Sequence, residues 1–260
     1  MPEKNYLEIA HNNLRDTIKY RIKNIDGGKI YETDDFLLFT IGVDTDDGHL
    51  NGCLTFNDDA YEEIFQAAEE FFKDLGFTYS FWIRGGVDTK LANLLEEKGY
   101  EPTRTPGSAI MYTESKIGDA PIPDGFTIKK VKTPKEKEDM AFVIEEAFEK
   151  EKEVVDTMFS SMDNLYSDEF KSFLIYDKEG KPVSAAITSF VDDSAGIYYI
   201  STLEEARSKG LGKAITEAST NIGFDSGKDI VILQASELGE IVYNKLDFNK
   251  IGVYKSYKIK

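Results

Sequence analysis

The residues best suited to chemistry form a short loop in the second half of the chain. From Arg207 to Lys213 the sequence reads Arg-Ser-Lys-Gly-Leu-Gly-Lys, with three cations and no acid. A strand-like segment precedes the loop, and apolar residues at helical spacing follow it. Because the first N–H groups of a helix are unpaired and its dipole is positive there, such a loop binds anions. Gly210 and Gly212 leave room for a phosphate beside the backbone, so the loop predicts a diphosphate ligand.

Two well-known phosphate motifs do not fit this loop. A P-loop requires glycine at the position of Arg207 and serine or threonine at the position of Ala214. A dinucleotide-binding fingerprint that starts at Gly210 requires glycine or alanine at the position of Ile215. On this stretch alone, an ordinary glycine-bearing loop before a surface helix remains the alternative.

A second stretch adds a tyrosine to the loop. Residues 233–248 predict a strand, a turn and a short helix that carries Tyr243, five residues before Phe248. Together the two stretches resemble the GNAT superfamily of N-acetyltransferases. The R-x-x-G-x-G pattern from Arg207 to Gly212 resembles the pyrophosphate loop of that family, and Tyr243 resembles its tyrosine beside the coenzyme sulfur. The resemblance covers residues 125–260, which is close to a whole family domain.

The resemblance implies a reaction in which acetyl-CoA is the co-substrate and an amine attacks its thioester directly. Tyr243 would protonate the departing thiolate, and Glu204 is a candidate general base. A backbone N–H at the end of the preceding strand would polarise the thioester carbonyl. The residues expected to bind acetyl-CoA are Ile200, Ser201, Thr202, Arg207, Ser208, Lys209, Gly210, Leu211, Gly212, Lys213 and Ser236.

Some positions depart from the family pattern. Asp247 stands where the family often has glycine, and aspartate tolerates a left-handed backbone better than most residues. Ser236 stands where asparagine is common. Both histidines, His11 and His49, lie in the first half, and we expect them at the surface. A base in the second half must therefore be a carboxylate or a water held by one, and the weaker candidates beside Glu204 are Glu145 and Glu146.

Composition narrows the possible partners. The net charge is −17, which argues against broad contact with nucleic acid or an anionic membrane. Residues 121–260 hold 19 of the 31 basic side chains but only 25 of the 48 acidic ones, so they are better suited to an anionic ligand. Cys53 is the only cysteine and is expected to be buried, which excludes an internal disulfide and a cysteine metal cluster. We expect no metal, no signal peptide and a cytoplasmic protein.

The chain divides at a linker, residues 114–125, that contains two prolines and two glycines. Before it, the pattern predicts helices near residues 7–18, 58–75 and 91–95, and strands at 36–43, 49–56 and 78–84. After it, the pattern predicts helices near residues 140–148, 210–222 and 239–246, and strands at 126–131, 172–176, 183–191, 195–202, 230–234 and 251–259. The run Glu149–Glu153 alternates in sign, which is typical of a solvated helix end.

The two halves share this order of elements, and residues 94–100 match residues 242–248, so we infer a diverged duplication. The expected fold is α/β with a mixed sheet, made of two tandem GNAT-like domains. Residues 1–120 form a degenerate domain without a CoA loop, and residues 121–260 form the catalytic one. In the first half, Asp58 and Asp59 open the matching helix and would repel a pyrophosphate, while Leu95 replaces Tyr243.

The predicted function is therefore transfer of an acetyl group from acetyl-CoA to an amine, on a small molecule or a peptide. A CoA-binding sensor without turnover is the alternative, and an interaction module that binds phosphate incidentally is a third. The acidic surface favours a cationic acceptor. The sequence leaves open whether the protein forms a homodimer.

Overall fold

The computed structural model describes residues 4–118, 121–160 and 168–260. In chain order the elements are α1 (Tyr6–Ile22), β1 (Lys29–Glu32), β2 (Phe36–Thr40), β3 (Asn51–Thr55), α2 (Tyr61–Lys73), β4 (Tyr79–Arg84), α3 (Thr89–Glu97), β5 (Ser108–Thr113), β6 (Phe126–Lys130), α4 (Pro134–Phe148), α5 (Lys152–Ser160), β7 (Phe170–Asp177), β8 (Pro182–Val191), β9 (Ser194–Thr202), α6 (Leu211–Asp225), β10 (Ile230–Ala235), α7 (Glu237–Asn244) and β11 (Asn249–Ile259). Short 3₁₀ turns at Asp58–Ala60 and Glu204–Ala206 precede α2 and α6.

All these strands form one mixed sheet, in the order β1-β2-β3-β4-β11-β5-β10-β9-β8-β7-β6. The pairs β3–β4 and β9–β10 are parallel, and the other pairs are antiparallel. Next to each parallel pair, toward the middle of the sheet, lies a strand from the other half of the chain. Strand β5 lies beside β10, and β11 lies between β4 and β5. The halves therefore exchange their last strands, and backbone hydrogen bonds join them.

Alternating side chains give the sheet two apolar faces. In β2, Leu37 and Phe39 contribute to one core, while Phe36 and Leu38 contribute to another. The first face, here called the α1 face, is covered by α1, α4 and α5 and forms a single core across both halves. The opposite face, here called the α6 face, is covered by α2 and α3 over the first half and by α6 and α7 over the second.

Helix α1 belongs to the first half of the chain but packs on β8 and β9 of the second. Asn13 Nδ2 donates to Ser194 Oγ over 2.9 Å, and Thr17 Oγ1 donates to Ser189 Oγ over 2.8 Å. The Tyr198 hydroxyl donates to Asn13 Oδ1 over 2.7 Å. These groups are buried, and buried polar groups need partners, so the pairs fix the position of α1 on the second half.

The α/β fold with a mixed sheet is confirmed, and the predicted helices and strands are present with shifted ends. Strands β1 and β5 and helix α5 were not predicted. All four residues of β1 are exposed, so the strand has no alternation that a pattern can detect. The run Glu149–Glu153 is not simply a solvated helix end, because α4 ends at Phe148, α5 begins at Lys152, and the side chain of Lys150 is only 12% exposed.

The predicted boundary between residues 120 and 121 adjoins residues 119–120, which lie outside the described residues. The division stays a prediction, although the exchange of β5 and β11 carries strand pairing across it. Cys53 is buried, as expected. In the described parts of the chain, no helix combines the length and the apolar character needed to cross a membrane.

Candidate active site

Strands β9 and β10, in the second half of the chain, pair at their N-terminal ends and then separate. Their last paired residues are Ile197 and Leu233, yet β9 continues to Thr202. A bulge follows the parting, because Tyr199 and Ile200 together face a single residue of β8, and Tyr199 has a left-handed φ of 51°. Beyond the parting, the edge of β9 that faces away from β8 is open to an extended ligand.

Helix α6 begins beside this opening with a free N-terminus. Gly210 is its N-cap, with a φ of 81°, and no side chain of the described residues caps the helix. The N–H groups of its first turn have no partner within the helix. A Cβ at Gly212 would lie 4.0 Å from Thr202 Oγ1, and one at Gly210 would lie 3.7 Å from Pro123. A Cβ at either glycine would therefore meet a single atom at ordinary contact distance, so the loop is not crowded where a phosphate would approach.

Three cations surround this N-terminus, and all three are held by local contacts. Arg207 Nε donates to the carbonyl of Thr202 over 3.2 Å. Lys209 Nζ donates to a backbone carbonyl 2.9 Å away, and Lys213 Nζ lies 3.7 Å from a carboxylate of α6. The exposed Arg207 and Lys209 add positive charge where the helix dipole is already positive. The loop can therefore bind a dianion.

Tyr243 lies on α7, and its hydroxyl lies beside the Thr216 hydroxyl of α6. Thr216 in turn donates to the carbonyl of Gly212 over 2.7 Å, so the tyrosine is placed against the start of α6. Burial raises the pKa of Tyr243 to about 12, and the neighbouring hydroxyl opposes this shift. The phenol is therefore protonated at neutral pH and can act as a proton donor.

A tight turn fixes the end of α7. The N–H groups of Leu246 and Phe248 both donate to the carbonyl of Tyr243, over 2.9 and 3.1 Å. Asp247 adopts a φ of 58°, which confirms that aspartate takes the left-handed position in this turn. The rings of Tyr243 and Phe248 lie 6.0 Å apart and anchor the helix in the core of the α6 face.

The structure brings most of the predicted site residues to one place. The end of β9 and the loop 207–213 meet at the N-terminus of α6, and Tyr243 approaches the same helix. Ser236 caps α7, with its Oγ accepting from the Gly239 N–H over 3.2 Å. Glu204 is exposed on the 3₁₀ turn after β9. No contact links Glu204 to Tyr243, and its role as a base stays a prediction.

The expectation that the histidines lie at the surface is wrong. His11 is 2% exposed, and its ring nitrogens lie 2.9 Å from the Tyr254 hydroxyl and 2.8 Å from the Thr55 carbonyl. His49 packs on Trp82, with ring centroids 4.4 Å apart. His11 therefore fills a polar position in the core, and His49 is half-buried against Trp82. A sequence pattern does not separate such positions from surface positions.

Sequence reasoning missed a polar cluster on the α1 face, next to the bulge at Tyr199. The Tyr199 hydroxyl donates to Asp47 Oδ2 over 3.2 Å, and Lys150 Nζ donates to the same oxygen over 2.5 Å. His49 lies beside them, with its ring 6.2 Å from that of Tyr199. No local signal could have found this cluster, because Asp47 and Lys150 are 103 residues apart.

The equivalent position in the first half is already filled. Strands β3 and β4 last pair at Leu54 and Trp82, and the 3₁₀ turn Asp58–Ala60 follows. The Asp58 carboxylate accepts from the N–H groups of Lys90 and Leu91, at the start of α3, over 2.8 and 3.0 Å. Acidic side chains therefore occupy this region of the first half, which disfavours a pyrophosphate.

A cavity of about 860 Å³ lies near this position, between α1 and the ends of β3 and β4. Its arginines are already paired, Arg84 with Asp88 over 2.7 Å and Arg15 with Asp16 over 2.8 Å. Since Asp88 is fully buried, the first of these pairs is part of the core. Neither cation is available to a phosphate without breaking an ion pair.

The comparisons agree with this geometry. Residues 139–244 match the acetyltransferase (GNAT) family model. A GCN5-related N-acetyltransferase from Kribbella flavida has a TM-score of 0.72 at 16% identity, over 96% of this chain and 95% of that one. One from Sphaerobacter thermophilus has a TM-score of 0.64 at 15% identity, over 87% and 80%. A tandem GNAT protein from the clavulanic acid biosynthesis pathway has a TM-score of 0.62 at 10% identity, over 95% and 87%.

No curated protein matches the sequence. At these identities the solved structures show the fold, and they cover nearly the whole chain. The family model spans α4 to α7, which includes the glycine loop and Tyr243. The chain has the fold of GNAT N-acetyltransferases, and its residues 139–244 match the model of the GNAT acetyltransferase family.

Proposed function

We propose that this protein transfers the acetyl group of acetyl-CoA to an amine. The observation that carries the proposal is the uncapped N-terminus of α6, with its open space at Gly210 and Gly212, beside the parting of β9 and β10. A diphosphate matches the helix terminus, and an extended pantetheine arm matches the open strand edge.

In this proposal, the N–H groups of residues 209–213 bind the pyrophosphate, and Arg207, Lys209 and Lys213 add positive charge. The end of β9, from Ile200 to Thr202, pairs with the pantetheine arm. One of its N–H groups polarises the thioester carbonyl, a role that such donors perform well when water is excluded. Ser236 supports the site indirectly, since its hydroxyl caps α7.

Tyr243 supplies the proton that the leaving thiolate needs. The phenol carries its proton at neutral pH, as an unperturbed tyrosine also does, and burial raises its pKa further, to about 12. When the amine nitrogen bonds to the acetyl carbon and the carbon–sulfur bond breaks, Tyr243 gives its proton to sulfur and regains one from solvent. The amine loses a proton to a base, for which Glu204 is the candidate from sequence.

The first half, in this proposal, is a degenerate GNAT domain that binds no CoA. Acidic side chains at Asp58 and Asp59 oppose a pyrophosphate there, and the buried Leu95 takes the place of Tyr243. Its contribution is structural, through β5 and α1, which complete the sheet and the core of the second half.

The experiment combines calorimetry with a thiol-release assay. We expect one acetyl-CoA to bind per chain and thiol to be released when a suitable amine is added from a panel of polyamines, aminoglycosides, amino acids and peptides. Binding without release on any amine would favour the sensor alternative. Absence of binding would overturn the proposal, and a second bound ligand would contradict the assignment of the first half.

A further inference from the structure

An ion pair joins the two halves at the bulge of β9. Asp47 comes from the loop between β2 and β3, and Lys150 follows α4. Their side chains are each 12% exposed and lie 2.5 Å apart. Burial alone would raise the pKa of Asp47, but Lys150 and His49 together lower it to about 2. The carboxylate is therefore ionised, and a buried carboxylate requires a cation beside it.

Aromatic rings complete the surroundings of the ammonium group. Lys150 Nζ lies 5.9 Å from the ring centroids of both Phe148 and Tyr199, within the range of cation–π attraction. The two rings meet edge to face, 5.8 Å apart. Asp47, Phe148 and Tyr199 therefore form what we call the ammonium box. Phe148 is 45% exposed, so the box is reached from solvent on that side.

Two unsatisfied polar atoms lie on the same face. Within the described residues, His49 Nδ1 and Gln234 Oε1 are buried and have no hydrogen-bond partner. His49 adjoins the box through the Asp47 side chain, which accepts from the His49 backbone N–H over 2.9 Å. Gln234 follows Leu233, the last residue of β10 to pair with β9. Unpaired buried acceptors are costly, and a ligand with several N–H groups would satisfy them.

We propose that the ammonium box is the recognition site for the amine acceptor, that the acceptor is a primary alkylammonium ion, and that it displaces Lys150 from the box. This inference rests on the proposed acetyltransferase function. The box adjoins the bulge at Tyr199, on the open part of β9, so an ammonium group held there lies beside the region assigned to the thioester. It gives a proton to the base of the proposed reaction before its nitrogen attacks.

The side chain of Lys150 shows what the box accepts, because it is itself a primary ammonium on an unbranched alkyl chain. Exchange for an acceptor of the same charge leaves Asp47 with a cation throughout, so no buried charge is left uncompensated. Arg21 lies 5.3 Å from the ring centroid of Tyr199 and donates from Nη1 to the Tyr199 hydroxyl over 3.3 Å, so it keeps the aromatic wall in place. Lys150 follows a left-handed residue, Glu149, outside both α4 and α5, so its release disturbs neither helix.

The first test is chemical rescue of stability. Lys150→Ala empties the box, and n-butylammonium chloride replaces the missing side chain. At tenfold excess over its Kd, we expect a saturable rise in the Tm of Lys150→Ala of about 3–5 °C. The matched control is Lys152→Ala, which removes a lysine that is 73% exposed. Lys150 still occupies the box in this control and competes with the ligand, so at the same concentration its Tm should rise less than that of Lys150→Ala. Adding Asp47→Asn to Lys150→Ala should abolish the rescue, whereas an equal response in all variants would overturn the proposal.

The second test is kinetic and uses Asp47→Asn, which removes the charge of the box in the full chain. With acetyl-CoA and 1,5-diaminopentane, we expect a rise in KM of at least about tenfold, the signature of lost binding, with little change in kcat. With 4-methoxyaniline, whose amine is uncharged at neutral pH, the variant should match the parent. If the parent acetylates only 4-methoxyaniline, the acetyltransferase function stands and the ammonium box is refuted. If calorimetry detects no acetyl-CoA binding, the proposed function fails. The rescue experiment still tests independently whether the ammonium box binds an alkylammonium ion.

Discussion

Tyr243 and Asp247 illustrate how much chemistry can depend on single positions in a short turn. The left-handed Asp247 lets two N–H groups donate to the Tyr243 carbonyl, and this fixes where the tyrosine ring lies. The ring then places its hydroxyl beside Thr216, at the start of the helix that carries the glycines. The position of the proposed proton donor therefore depends on a residue that tolerates a positive φ.

Tyr243→Phe should separate catalysis from binding. The variant keeps the buried ring and removes only the hydroxyl, so we expect turnover to fall about 10²–10⁴-fold, the usual contribution of general acid help. Acetyl-CoA affinity and Tm should stay near those of the parent, because the hydroxyl acts mainly in the transition state. Tyr257→Phe is the matched control, since it removes a hydroxyl that donates to Glu96 in the first half. Full turnover in the Tyr243 variant would leave solvent as the proton source.

The buried His11 predicts a loss of stability in mild acid. The Thr55 carbonyl can only accept, so Nε2 carries the proton and Nδ1 accepts from the Tyr254 hydroxyl. Burial, with Arg84 nearby, lowers the pKa of His11 to about 3, against 6.5 for an unperturbed histidine. The unfolded chain therefore binds a proton that the folded chain excludes, and stability is lost as pH falls below about 6.5.

At pH 5 this single histidine should reduce the free energy of unfolding by about 2 kcal/mol relative to neutral pH. The measurement is urea unfolding of the parent and of His11→Gln between pH 5 and 7.5. The variant should be less stable at neutral pH but should lose less stability on acidification. Parallel pH profiles for the two proteins would contradict the assignment.

At the scale of elements, the start of α6 is the proposed phosphate site. Gly210 takes a left-handed backbone conformation, which other residues adopt at a cost in free energy. A substitution there would strain the backbone, so a loss of affinity could not be assigned to the ligand site alone. Gly212 lies within the helix, and a Cβ there meets only Thr202 Oγ1 at 4.0 Å. A side chain at Gly212 therefore projects into the space assigned to the ligand without disturbing the protein.

Gly212→Leu should abolish acetyl-CoA binding and leave the fold intact. Its side chain would occupy the position proposed for the pyrophosphate, and we expect the Kd to rise at least about 100-fold, as measured by calorimetry. Gly118→Leu is the control, because a Cβ at that glycine meets no atom of the described residues within 4 Å and the position lies outside the loop. Undiminished affinity in the Gly212 variant, with a normal melting curve, would exclude the loop as the pyrophosphate site.

At the scale of the whole molecule, exchange of the last strands makes the halves depend on each other. Strand β10 has β5 of the first half as its antiparallel neighbour, and β11 is inserted between β4 and β5. Helix α1 covers β8 and β9 and shares a core with α4 and α5. We therefore expect the second half to need the first half in order to fold.

Residues 121–260 expressed alone should not form a stable domain. Without β5 and α1 the fragment exposes the edge of β10 and part of the α1 face, and such surfaces promote aggregation. We expect insoluble protein or a broad, non-cooperative melting curve, measured by circular dichroism. Co-expression with residues 1–118 should recover soluble protein. A fragment that melts cooperatively and binds acetyl-CoA would show that the second half is self-sufficient.

The sequence by itself determined the features that depend on neighbouring residues. Glycine spacing, the cationic loop and the tyrosine before Phe248 all act within a few residues of one another, so their pattern predicts an anion site and resembles GNAT. Helices and strands with a clear apolar period were predicted for the same reason. The tertiary structure decided what depends on residues far apart in the chain. The exchange of β5 and β11, the burial of His11 and the meeting of Asp47 with Lys150 result from packing of the two halves, and long-range packing leaves no periodic signal in a single sequence.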